Sequence, residues 1–101
     1  MGIYQGSTPT HFFELPFSGS KLKEIEIVYA QKDKVLVVKN IEDCTITETE
    51  AITELTQEET FLFDKKSPVQ IQIRLLDDND KVHPSDVMSV SAKKCLSKEV
   101  L

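Results

Sequence analysis

One stretch constrains the fold of this chain more than any other: Val69-Gln70-Ile71-Gln72-Ile73-Arg74-Leu75. Apolar and polar side chains alternate through it without a break. Successive side chains of a strand point to opposite faces, so Val69, Ile71, Ile73 and Leu75 share one side and Gln70, Gln72 and Arg74 the other. A strand of that kind belongs to a sheet with one buried and one wet face, which is the pattern of antiparallel β architecture. The cluster Asp77-Asp78-Asn79-Asp80 follows at once and predicts a turn.

Similar signals recur along the chain. Residues 1–9 are polar, end in Thr8-Pro9 and read as an N-terminal arm. Thr10 to Leu15 predicts a first strand, stopped by Pro16 and the Ser18-Gly19-Ser20 loop. Lys23 to Gln31 predicts a second, with Ile25, Ile27 and Tyr29 facing inward and Glu24 and Glu26 facing water. The run Val35-Leu36-Val37-Val38 is continuously apolar and β-branched, which predicts a strand near the centre of a sheet. Short extended pieces at 44–47 and 51–55 flank a turn at Glu48-Thr49-Glu50. Thr56-Gln57-Glu58-Glu59 matches a capping box, so one helical turn is expected there, returning Phe61 and Phe63 or Leu62 towards the core. Pro68 suits the start of the next strand. Val69–Leu76 and Met88–Ala92 then close the fold, with Pro84 marking a bulge.

About seven short strands with one helical turn predict an all-β, immunoglobulin-like antiparallel sandwich, with a small, partly open β-barrel as the alternative. The domain spans residues 10–96, between the arm and a C-terminal tail at 97–101. There is no Cys…Trp…Cys pattern, so the expected similarity to immunoglobulin domains is one of architecture.

The chain has 101 residues, enough for one core without metal or disulfide staples. Seventeen acids against twelve bases give a formal charge of −5 and argue against nucleic acid as a partner. No apolar stretch is long enough for a membrane helix, and the N-terminus has neither the basic nor the apolar region of a secretory signal. Cys44 and Cys95, separated by fifty residues, read as reduced thiols.

Each candidate for chemistry has a plainer reading. An EF-hand counted from Asp77 would need Gly at the sixth position and Glu at the twelfth, where Val82 and Met88 stand. His11 and His83 lack the close ligand spacing that fixes zinc with cysteines, and no nucleophile signature surrounds either thiol. Gly2, Gly6 and Gly19 make no phosphate loop. No catalytic residue, metal or cofactor is therefore expected, and binding is what remains. Phe12 and Phe13 are adjacent and must point to opposite faces of a regular strand, so one of them lies outside the principal core. Tyr4, Phe12 and Phe17 are the candidate interface residues.

Several motifs resemble those of small phage- and prophage-encoded proteins of Firmicutes. They are Gln5-Gly6-Ser7-Thr8-Pro9-Thr10 leading into Phe13-Glu14-Leu15-Pro16-Phe17, then Leu55-Thr56-Gln57-Glu58-Glu59-Thr60, Val69-Gln70-Ile71-Gln72-Ile73-Arg74 and Ser89-Val90-Ser91. The resemblance implies a virion-associated β-sandwich of the head, connector, tail or baseplate. It would sit in the virion or the host cytoplasm and bind itself or a larger virion protein. An alternative expectation is a small acidic inhibitor of a host defence protein, its charge steering it to a basic groove.

Overall fold

The structure, a computed structural model, describes residues 2–101. Two sheets face each other. The larger holds β1 (Gly2–Tyr4), β9 (Met88–Lys93), β7 (Val69–Asp77), β3 (Leu22–Gln31) and β4 (Lys34–Asn40) in that spatial order, and β8 (Val82–Pro84) also pairs with β7. The smaller holds β2 (Thr10–Glu14), β6 (Glu50–Glu54) and β5 (Cys44–Ile46). All pairings among the described residues are antiparallel except that of β1 with β9. The architecture is an immunoglobulin-like sandwich, and among the described residues no strand links the two sheets into a barrel.

The alternation in β7 works as its pattern dictates. Ile25, Ile27 and Tyr29 of β3 lie opposite Leu75, Ile73 and Ile71 of β7, and all six are buried. Val69, Val37, Ala51, Leu55 and Phe63 complete most of the core around them. The polar partners emerge on the opposite face, where the Arg74 guanidinium donates to Glu26 Oε1 from Nε (3.0 Å) and Nη2 (2.8 Å).

The helical turn α1 (Gln57–Thr60) carries the expected reciprocal cap. The Glu59 amide donates to Thr56 Oγ1 at 3.2 Å, and the Thr56 amide donates to Glu59 Oε1 at 2.8 Å. Phe63 is then delivered to the core, while Leu62 stays exposed. Gln31, itself buried, fastens the following loop: its amide nitrogen donates to the carbonyls of Asp64 (2.7 Å) and Ser67 (2.8 Å), and its oxygen accepts from the Asp64 amide (2.7 Å).

The Pro84 bulge is present. The interval from Pro84 to Met88 is one residue longer than the interval from Ile71 to Arg74 that it faces. Ser85 absorbs the excess, donating its amide to the Ile73 carbonyl (2.8 Å) and accepting from the Ile73 amide through Oγ (3.0 Å). The side chain stands in for a missing ladder acceptor. At the turn beyond β7, Asp77 Oδ1 accepts from the amides of Asn79 (2.8 Å) and Lys81 (3.0 Å), so the carboxylate builds the turn.

Two expectations need correction. Residues 1–9 include a strand as well as an arm, because Gly2, Ile3 and Tyr4 pair in parallel with Ser91, Ala92 and Lys93, and Ile3 is fully buried. That strand and the split of the closing strand into β8 and β9 raise the number among the described residues from about seven to nine. The apolar run 35–38 forms an edge strand, not a central one: Val37 packs inward, while Val35 and Val38 lie exposed on the outer face. Tyr29 and Ala30 of β3 face Val37 and Val35, so Leu36 is an extra, bulged residue of β4 that interrupts the alternation. Gly6 ends the β1 segment with φ +76°, and a Cβ there would run into the Phe61 ring.

Because Ile3 is as buried as the central core, Ile3→Ala is expected to cost about 2–5 kcal/mol, the range for removing a buried isoleucine side chain. Urea unfolding measures it, and a loss under about 0.5 kcal/mol would mean that β1 does not anchor the edge of the sheet.

Candidate interaction surface

His11, on the inner face of β2, is buried and stacks on Tyr29 of β3, with ring centroids 5.7 Å apart. Its Nδ1 lies 2.7 Å from the Tyr29 hydroxyl, a hydrogen bond that spans the two sheets. Burial lowers the His11 pKa below its ordinary 6.5 and raises that of the Tyr29 phenol, so both groups are held neutral. Burial also pushes the Cys44 thiol up, away from the reactive thiolate. Neither cysteine forms a disulfide, and both are half-buried.

His83 on β8 brings its Nε2 to 2.8 Å from Asp77 Oδ2 and its ring to 5.1 Å from that of Phe17. The His83 hydrogen bond, helped by the Lys81 and Asn79 amides, holds the Asp77 carboxyl below the ordinary carboxylate value. A histidine–carboxylate pair is half of a nucleophile relay. The nearby hydroxyl, that of Ser85, is occupied, accepting from Ile73 and donating to the Asp86 carbonyl at 2.9 Å. The pair clasps the Asp77–Lys81 turn to β8.

A third polar group inside the fold is Lys39 of β4, which is buried and reaches Glu59 Oε1 at 2.7 Å. Partial burial raises the Glu59 carboxyl, but the Lys39 ammonium and the Thr56 cap outweigh it and leave the pKa below its ordinary value. One carboxylate thus caps α1 and neutralises a lysine in the core. A buried ion left without its partner costs several kcal/mol, so the pair fixes where α1 sits on β4.

The outer surface carries the candidate interface residues. Phe12 faces away from the core on β2 and is 61% exposed, while its neighbour Phe13 turns inward and packs on the core. Opposite Phe12 stands Ile52 of β6, and beyond it Thr45 of β5. Glu14 pairs with Glu50 on one side of that row, and Thr10 pairs with Glu54 on the other. The outer face of the small sheet is therefore an apolar strip edged by carboxylates. Tyr4 is 55% exposed at the far edge of the larger sheet, with Lys93 Nζ 5.2 Å from its ring centroid. Phe17 is half-buried against the core and its ring is engaged with His83. The fold thus places Tyr4 and Phe12 on different sheets and does not bring the three aromatics together.

Residue composition alone does not show how the charge is distributed. Residues 40–64 contain eight acids (Glu42, Asp43, Glu48, Glu50, Glu54, Glu58, Glu59, Asp64) and no lysine or arginine. The rest of the chain holds the other nine acids and all twelve bases, a balance of +3. Since 40–64 supplies β5, β6 and α1, the small sheet and its connections carry the negative charge. Counting charges in windows along the sequence would have found this. The His11–Tyr29 and Lys39–Glu59 contacts, over 18 and 20 positions, leave no local signal.

No known protein family matches the chain, and no curated protein matches it by sequence. Among solved structures, it is similar to the immunoglobulin-like domain of mouse leukocyte-associated immunoglobulin-like receptor 1, in a strand-swapped dimer. The TM-score is 0.48 and the identity 10%, over 91% of this chain and 85% of that one.

The His11 environment gives a pH dependence. A base whose folded pKa is depressed binds fewer protons in the folded state than in the unfolded one. Stability is then fully present above the ordinary value of 6.5 and declines as pH falls below it towards the folded pKa. Urea midpoints measured from about pH 7 to about pH 5 should fall, and His11→Gln should flatten that slope. A slope unchanged in the variant would assign the effect to another group.

Proposed function

We propose that this chain is a non-enzymatic interaction module, a structural component of a phage or prophage particle that acts through protein–protein contacts. The observation that carries this reading is Phe12, a large apolar side chain 61% exposed on the outer face of β2, an edge strand of the small sheet. A ring left in water on a strand whose register is fixed on both faces is not a packing error, since a one-residue slip would expose the core instead. Aromatic side chains with an apolar neighbour and a polar rim are the usual anchors of protein interfaces. The motif resemblance to phage proteins of this size supplies the setting. The internal roles of His11, Cys44, Lys39 and His83 agree with it, because each is accounted for by packing, pairing or turn formation.

The concentration of acids in 40–64 favours a second reading, the acidic inhibitor of a host protein. A negative face steers towards a basic groove, and its association would weaken sharply with salt. The two readings separate by location. Mass spectrometry of purified particles should recover the chain at a stoichiometric level if it is a structural component. Its absence there, together with a stoichiometric complex with one host protein, would favour the inhibitor.

Phe12→Ala should leave the thermal midpoint nearly unchanged, since exposed substitutions stay within about 0.5 kcal/mol. The same change should lower occupancy in particles at least about tenfold, as expected for loss of an anchor worth about 2 kcal/mol. Undiminished incorporation of the variant would remove Phe12 from the interface.

A further inference from the structure

The Phe12 face has a complement on the same molecule. At the β1–β9 edge of the larger sheet lies a depression of about 260 Å³ lined by Lys65, Lys66, Ser67, Pro68, Ser91 and Ala92. Tyr4 and Lys93 stand on the strands beside it. The two segments that meet there, 65–68 and 91–98, contain five lysines and no acid. An acid-edged aromatic on one sheet and a base-edged hollow on the other are opposite in both shape and charge. The hollow is open to solvent rather than enclosed, so a phenyl ring resting in it would be covered on one side.

We propose that copies of this chain associate head to tail, the Phe12 ring of one entering the Lys65–Ala92 depression of the next. Glu14, Glu50 and Glu54 then meet Lys65, Lys66 and Lys93. The inference rests on the assembly reading above and names the partner of its exposed face. The occupant is a second copy because the two surfaces belong to different sheets of one sandwich, so a molecule cannot close the contact on itself. Against a copy approaching in any like-to-like manner, the acid-rich face would meet its own charge. The contact is heterologous, and repetition generates a ring or a filament according to the rotation between neighbours.

Sedimentation of the full chain tests this. The wild type should show a mass that rises with concentration at low salt. In ~1 M salt, where screening shortens to ~3 Å, it should return to the monomer. Phe12→Ala and the double variant Lys65→Glu/Lys66→Glu, each confirmed as folded by circular dichroism, should both lose self-association. Mixed together they should form a one-to-one pair and nothing larger, because each keeps the surface that the other lacks. A wild type that remains monomeric throughout overturns the contact, as do variants that still associate or a mixture that fails to pair. Mass spectrometry of particles is read separately. A chain recovered from particles but monomeric alone removes this contact and leaves the assembly reading in place, whereas one that self-associates yet is missing from particles does the reverse.

Discussion

The sandwich depends on a phenol that has no water to turn to. Tyr29 is fully buried in the middle of β3, where its ring helps to fill the space between the sheets. A hydroxyl in that position costs stability unless it finds a partner, and His11 of the opposite sheet supplies one at 2.7 Å. The bond works in both directions, since it also gives the buried imidazole a partner for Nδ1. Apolar packing alone would let two sheets slide by a residue pair at modest cost, but this hydrogen bond has a single geometry. It fixes β2 over β3, and with β2 the register of β6 and β5.

The position of Phe12 follows from that bond. With His11 and Phe13 committed to the inner face, the residue between them must point outward, and β2 has no alternative register that would hide it. The exposed aromatic is therefore built into the strand that carries the inter-sheet contact. Something similar holds at the other end of β6. Glu59 cannot leave its place without uncapping α1 and stranding Lys39 in the core, so the acid-rich connection from β6 to β7 is also held in position.

How far the chain could be read in advance depended on how local each signal was. β7 and β3 were legible because alternation over seven or more residues has one structural solution. The capping box at Thr56 was legible for the same reason, its two bonds lying within four residues. β1 was not, because three residues with a single buried side chain, Ile3, carry no period, and its partner lies almost ninety positions away. The run 35–38 misled because continuous apolarity has two causes, burial on both faces or an outer face left open, and the sequence does not distinguish them. For the candidate surface, adjacency of Phe12 and Phe13 was enough to say that one ring faced out. Which one did depended on His11 finding Tyr29, a contact that no pattern announces. Phe17 was harder again, since a residue after a proline has no face until the loop is placed.

The like-charged pair on the small sheet bears on why such a surface exists. Glu14 and Glu50 lie directly opposite one another across an antiparallel ladder, an arrangement that costs stability where an opposite-charge pair would add it. Water screens most of that repulsion while the face is open, so the isolated domain tolerates it. Covering the face with anything uncharged would remove the screening and strengthen the repulsion, whereas covering it with cations would remove the repulsion itself. In the contact proposed above, the pair would therefore discriminate among partners more than it stabilises the fold: it leaves wholly apolar or acidic surfaces unfavourable and basic ones favourable. Phe12 and Ile52, lying between the acidic rows, provide the apolar contact that charge alone lacks, and the carboxylates select which apolar contacts can form.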